Sequence, residues 1–522
     1  MKIRLIFLLI IVSLSTLGQE IIPRPNEFIQ TAGFFLIPDV VSVSCQDAGF
    51  STMVPVFKVS VKKITNLDVG TKQKNGTILL VRNPKILEKE AYRLKIEPRN
   101  ITVEAGYPAG CFYALQSLIQ LLHSSGSDKT IACVVISDKP RYEWRGFMLD
   151  ESRHFFGMTE VEKILDMMAL QKLNKFHWHL TDSPGWRIEI KQYPLLTGPG
   201  AKGNFSDPEA EARFYTQKQI SEIVQYAADR FIEVIPEIDM PGHATAAAKA
   251  YPEFSGGGSK KFPDFTFHPG KDGTYGFLTN ILKEVAGLFP SAYIHIGGDE
   301  VSYGNQQWTD FPEVQQLMKQ KELKDLVGVE HYFLRRMADS IQKSGKTMIG
   351  WDEIVTAGLT NHPRIMWWRH EQPQMLDLAL KNGYEVILCP RIPLYFDFVQ
   401  LNSHKSGRKW SGKYAPVESV YNFPSDQFTG GISIATSLVK GIQANLWTES
   451  VHSNERLEFM TFPRLSALAE AAWTNKEVKD YESFRGRMKN MEDIYRKSEV
   501  RYFDFMHPED AKEISGPEMP KN

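Results

Sequence analysis

From Trp144 onward the chain keeps one rhythm, a short apolar run followed in most cases by a helical stretch. The runs are Arg145–Asp150, Lys175–Asp182, Phe231–Asp239, Tyr293–Glu300, Lys346–Glu353, Arg364–Trp368, Tyr384–Pro390 and Gly441–Trp447. Helical stretches fall at Met158–Gln171, Thr216–Asp229, Tyr275–Phe289 and Val329–Ser344. Eight strands alternating with helices predict an α/β chain with a (β/α)8 TIM-type barrel, spanning residues 141–475. Segment 375–440 breaks the rhythm, so a doubly wound sheet is the alternative.

Residues 20–140 lack this alternation and read as a small α+β domain. Ile78–Val81, Ala91–Ile96 and Asn100–Ala105 are strand-like, the last two joined as a hairpin through Glu97-Pro98-Arg99-Asn100. Ala109–His123 reads as a helix with Phe112, Leu115, Leu118, Ile119 and Leu122 on one face. Residues 476–522 are expected to form a charged helix on the barrel's outside and then a loose tail. Residues 1–19 have the form of an export signal: Lys2 and Arg4, then an unbroken apolar run from Ile6 to Val12, then small residues. That run is too short to span a membrane, and no cysteine stands where a lipid anchor would attach. A soluble, secreted or periplasmic protein is expected. The net charge of −1 offers no polycationic face for nucleic acid. The four cysteines have no CxxC spacing and are expected to be mostly buried free thiols.

Barrels of this type carry their chemistry at the C-terminal strand ends. Those ends hold Asp150, Glu151 and Arg153; Asp182; Glu237, Asp239 and His243; Asp299 and Glu300; Trp351, Asp352 and Glu353; Trp367, Trp368 and Arg369; Tyr395 and Asp397; Trp447 and Glu449. Acids, aromatics and few bases suit a neutral polyol, because carboxylates accept from hydroxyls and aromatic faces stack on sugar C–H faces. Asp299 and Glu300 follow the two glycines of Tyr293–Glu300, and adjacent carboxylates repel, so one is expected to keep a proton at neutral pH as a general acid does. A lone Asp-Glu pair more often caps a helix; the acids and tryptophans at the other strand ends favour the site. His177-Trp178-His179 with Asp182 is the start of a rival metal site. Both histidines lie below the strand tip, which favours packed residues over ligands, and no metal or other cofactor is expected.

These motifs resemble glycoside hydrolase family twenty, the β-N-acetylhexosaminidases. The likeness runs through Arg145–Phe155, Lys175–Asp182, Pro236–His243, His295–Glu300, Gly350–Glu353, Trp368-Arg369, Tyr395–Asp397 and Leu446–Glu449, with Asn100–Leu118 resembling the family's preceding non-catalytic domain. The resemblance implies that Glu300 is the general acid and then the base. It implies that Asp299 orients the substrate's acetamido group and that Tyr395 donates to its carbonyl oxygen. Trp351, Trp368 and Trp447 then enclose the acetamido methyl and the sugar face. Arg145 and Glu449 bind outer hydroxyls, Asp397 meets the C4–C6 side, and Asp182 and His243 support the acid pair. Segment 205–213 departs from the family's usual glycine-rich run, so the rim is expected to differ there.

Most retaining glycosidases place two carboxylates about 5 Å apart across the scissile bond, whereas this family is among the substrate-assisted exceptions. Neighbouring strand residues point to opposite faces, which argues against Asp299 and Glu300 flanking one bond. The expectation is a retaining exo-β-N-acetylhexosaminidase acting on glycans. Release of a disaccharide, in the manner of a lacto-N-biosidase, and a barrel that binds carbohydrate without cutting it stay open. So does the choice between N-acetylglucosamine and N-acetylgalactosamine. Asp397 is expected to repel a 6-sulfate and so favour neutral sugars.

Overall fold

The computed structural model describes residues 20–72, 77–410 and 412–517; the export-signal segment 1–19 lies outside them. All eight expected barrel strands form, and they close into one parallel barrel. In order they are Trp144–Asp150, Lys175–His179, Glu233–Glu237, Tyr293–His295, Thr347–Trp351, Arg364–Trp367, Glu385–Leu388 and Val439–Leu446. The last strand closes on the first with Gly441 opposite Trp144 and Leu446 opposite Leu149. The helix missing from the rhythm is the one after the fifth strand, where only the 3-10 segment Asp352–Ala357 stands.

Two apolar layers follow from this closure. Outside, the strands and helices share one continuous core with the N-terminal domain. Inside, Trp144, Met148, Ile235, Ile349, Met366 and Ile387 fill the barrel, and the same cluster rises to Trp351, Trp368, Tyr395 and Trp447. The barrel is therefore plugged below and lined with aromatics above.

The N-terminal domain is a seven-stranded sheet in which Tyr92–Ile96 and Ile101–Ala105 form the expected antiparallel hairpin. The helix Pro108–Ser124 is buried from Gly110 to His123, not along one stripe. It lies between that hairpin, the helix Val54–Thr65, the barrel helix Met158–Leu170 and the C-terminal helix Tyr481–Lys497, so every face meets a neighbour. The C-terminal helix does pack outside the barrel, where Arg487 meets Glu470 at 2.6 Å. The tail is tied down as far as it is described, contrary to expectation, with residues 518–522 outside the described ones: Glu513 accepts the backbone N–H groups of Lys405 and Ser406, at 2.8 and 2.9 Å. Three of the four cysteines are buried and all four are free thiols. Among the described residues no helix is long and apolar enough to cross a membrane.

Candidate active site

The fourth strand stops at His295, five residues short of the expected Glu300. Two left-handed glycines, Gly297 (φ 68°) and Gly298 (φ 89°), turn the chain beyond it. Gly297 is obligatory on steric grounds as well, since a Cβ there would fall 1.8 Å from Asp239 Oδ1. Glu300 follows at φ 53°. A non-glycine residue in that region costs about 1–3 kcal/mol and persists only where the surroundings impose it. Strand alternation therefore does not govern the acid pair. Asp299 and Glu300 enter the same pocket from one wall, and their oxygens lie 3.6 and 3.8 Å from His243 Nε2. The side chain of Glu300 is 32% exposed and that of Asp299 is 11% exposed, so Glu300 sits further out.

Both acids titrate high, though adjacency is not the main reason. Burial is the largest cause, pushing Asp299 up to about 8 and Glu300 upward as well. The charge of His243 pulls both down, and the Glu353 carboxylate pushes both up. Repulsion from Glu300 ranks below Glu353 at Asp299. His243 is itself raised to about 9: burial opposes its charge, but Asp182 and Asp299 outweigh that. Its Nδ1 lies 3.1 Å from Asp182 Oδ1, which fixes the ring beside the acid pair.

Below the pair runs a ladder of buried acids and histidines. Glu237 receives the indole N–H of Trp351 at 3.0 Å and lies 2.5 Å from His179 Nδ1, 3.0 Å from His177 Nε2 and 2.8 Å from His295 Nδ1. His179 continues to Asp182 at 3.1 Å. Its neighbours raise His179 to about 10 against burial, whereas burial dominates at His177 and lowers it to about 4. Ligand-type atoms of His177, Glu237 and His295, and of His243, Asp299 and Glu300, lie within 4.8 Å of one another. The same holds for His179, Glu237 and Asp239 and for Asp182, Asp239 and His243. In the first group Glu237 faces His177 and His295 as acid and imidazole, at 3.0 and 2.8 Å.

The aromatic wall is close to its expected form. Tyr395 stacks on Trp368 with ring centres 6.1 Å apart and planes 7° apart, and Trp447 stands 6.1 Å from Tyr395. Trp351 is buried one layer deeper, 5.9 Å from Trp447. Glu353 accepts the Trp368 indole N–H at 2.9 Å.

Arg145 must be corrected. It is fully buried at the opposite end of the barrel, against the N-terminal domain. Its guanidinium donates to both Glu90 carboxylate oxygens, to the Lys172 and Tyr142 carbonyls and to the Tyr113 hydroxyl. It stands near the start of the first strand, and in a parallel barrel that end points away from the pocket. Arg153, eight residues on, is the arginine that lines the pocket. It pairs with Asp182 at 2.7 Å and lies 4.9 Å above the Trp447 ring. Asp397 is also displaced from its expected role. It is buried and paired with Arg408 Nε at 2.6 Å, and a second arm of Arg408 donates to Glu449 at 2.6 Å. Its carboxyl is raised to about 7, mainly by burial. The premise of a bare charge repelling a 6-sulfate therefore fails.

The complete lining is Arg153, His243, Asp299, Glu300, Trp368, Arg391, Tyr395, Arg408, Trp410, Trp447 and Glu449, around a pocket of about 460 Å³. Sequence reasoning placed Arg153 at a strand end without a role and overlooked Arg391, Arg408 and Trp410. The one available signal was the loop from His404 to Lys413, whose charge is all of one sign.

A closed (β/α)8 barrel whose open end carries an acid pair, an aromatic wall and paired acids and arginines has the make-up of a glycoside hydrolase. The sequence profile of glycosyl hydrolase family 20, catalytic domain, matches residues 142–476, and that of the family's domain 2 matches residues 18–139. The chain belongs to glycosyl hydrolase family 20. It is 35% identical to a β-hexosaminidase of Porphyromonas gingivalis over 91% of its own length and 63% of the relative's. It is 34% identical to a β-hexosaminidase of Vibrio furnissii, over 88% and 77%. A solved family-20 exo-β-N-acetylglucosaminidase of Vibrio harveyi, in complex with N-acetylglucosamine, superposes with a TM-score of 0.84 at 31% identity, covering 93% of this chain and 79% of that one.

Proposed function

We propose that this protein is a retaining exo-β-N-acetylhexosaminidase that removes terminal N-acetylglucosamine or N-acetylgalactosamine from glycans by substrate-assisted catalysis. The observation that carries this reading is the placement of Asp299 and Glu300 on one wall of the pocket, both within reach of His243. One wall cannot supply a nucleophile opposite the acid, so the substrate supplies it. The acetamido carbonyl oxygen attacks the anomeric carbon while Glu300 transfers its proton to the leaving oxygen, and the C–O bond breaks. Asp299 acts in its ionised form, which the charge of His243 favours against burial, accepting the amide N–H and offsetting positive charge on the oxazolinium ion. Tyr395 donates to the amide oxygen, and Trp368 and Trp447 enclose the methyl group with Trp351 behind them. Glu300, now a carboxylate beside charged His243, takes a proton from the water that opens the ring. Two inversions at one carbon retain the configuration.

Arg153, Arg408 and Glu449 provide the hydrogen bonds for the outer hydroxyls of the terminal sugar. The ion-paired network of Arg153 with Asp182, and of Arg408 with Asp397 and Glu449, walls off that end and supports release of a single terminal sugar. The amino-terminal signal pattern supports export to the periplasm or medium, testable by sequencing the amino terminus of the mature protein. The deciding assay compares nitrophenyl N-acetyl-β-glucosaminide with nitrophenyl β-glucoside, with and without chelator. Rapid cleavage of the N-acetyl substrate alone, unaffected by chelator, is expected; equal rates on both substrates would refute the role of the acetamido group.

A further inference from the structure

We propose that Arg391 and Trp410, aided by the charges of Lys405, Lys409 and Lys413, bind an anionic group on the sugar that departs. The preferred glycans then carry a carboxylate or a sulfate on the penultimate residue. This rests on the hydrolase reading above and extends it to the leaving-group side.

Glu300 protonates the scissile oxygen and is the more exposed member of the acid pair, so lining groups that hold neither the acetamide nor the terminal sugar's hydroxyls are left for the departing sugar. Arg391 and Trp410 line the pocket and have no part in the steps described above. The Arg391 guanidinium lies between two indoles, 4.6 Å from the Trp368 ring centre and 4.5 Å from that of Trp410. It pairs with Glu371 on one side, and its Nε is enclosed without a hydrogen-bond partner. A guanidinium held between two rings is a planar donor suited to carboxylate or sulfate. Trp410 is 40% exposed, an open face for a sugar ring.

The surrounding charge has one sign. From Phe398 to Val417 the chain carries Lys405, Arg408, Lys409 and Lys413 and no acid. The charge of Arg408 is offset by Asp397 and Glu449. Glu513 caps backbone N–H groups of this segment. Among the described residues Lys405, Lys409 and Lys413 pair with no acid; the Lys409 ammonium reaches only the Asn402 carbonyl. The deep pocket is thus compensated internally, and the positive excess lies on the chain segment that carries the lining residues Arg408 and Trp410, where it draws anions in.

The test measures kcat/KM on three disaccharides with a non-reducing β-N-acetylglucosaminyl unit. The reducing sugar is glucuronic acid, 6-sulfated N-acetylglucosamine or plain N-acetylglucosamine. At low salt at least one anionic substrate should exceed the neutral one by about tenfold, and about 0.5 M NaCl should shrink that margin. The carboxylate and sulfate arms show which group is read. Lys409→Ala with Lys413→Ala should erase the margin while cleavage of the neutral disaccharide stays within about twofold, and Arg391→Met should lower kcat/KM on the anionic substrate about tenfold more than on the neutral one. Equal rates on all three, a neutral preference or a margin indifferent to salt would overturn the subsite while leaving the hydrolase intact. Silence on all three would sink the hydrolase reading and the subsite with it.

Discussion

The first barrel strand ends in two arginines of opposite fate. Arg145 and Arg153 are eight residues apart, and each meets a carboxylate. At the lower end Arg145 has all five N–H groups taken by Glu90, Tyr113 and two carbonyls, beneath the Trp473 and Tyr113 rings. At the upper end Arg153 shares Asp182 with His179 and His243 and keeps a face toward the pocket. One end joins two domains, and the other meets a ligand. The difference teaches that residue type does not make a site; strand direction does, because only one end of a parallel barrel is open.

The sharpest test of that division is at the upper end. Glu300→Gln should lower kcat on an N-acetyl substrate by about 10²–10⁴-fold with an unchanged circular dichroism spectrum and melting temperature. Asp299→Asn should be of similar severity, and greatest for substrates with weakly nucleophilic amides.

The two arginines can then be set against each other directly. Arg153→Met should cost about 1.5–3 kcal/mol in kcat/KM, since the terminal sugar loses a charged donor, while Asp182 keeps His179 and His243 and the melting temperature changes little. Arg145→Met should do the reverse, removing about 3–5 kcal/mol of stability while the folded fraction keeps near-normal kcat/KM. Adding Glu90→Leu to Arg145→Met should recover part of that stability, because a buried pair can be replaced by apolar groups at little net cost. If Arg145→Met lost activity while keeping its melting temperature, the division between the ends would fail.

The smallest effects are in pH dependence. Ionised Glu353 raises both Asp299 and Glu300. Glu353→Gln removes that charge, so the alkaline limb of kcat/KM should move to lower pH. Charged His243 lowers both acids, so His243→Asn should move the same limb to higher pH, alongside a loss in rate. Matching shifts in the two variants would refute the electrostatic account of the acid pair.

Much of the fold was legible from local pattern alone. All eight strands could be placed from their apolar runs, and the hairpin from its turn, because such signals reside in neighbouring residues. Glu300, Asp299, Tyr395, Trp368, Trp447, Glu449 and His243 could be gathered because they cluster at the ends of those runs. The fourth strand was read too long, since Gly297 and Gly298 turn the chain where Asp239 packs against the first and Ile354 against the second. The helix Pro108–Ser124 was read as one-faced because the elements that cover its other sides are remote in sequence. The sequence by itself determined the barrel, its repeating elements and the chemistry at their ends, since each depends on short-range periodicity. Only the tertiary structure decided that Arg145 faces the N-terminal domain, that burial and Glu353 outweigh adjacency in raising Asp299, and that Arg391, Arg408 and Trp410 complete the pocket. Each of those outcomes depends on which distant side chains share a low-dielectric space, and no local spacing encodes that.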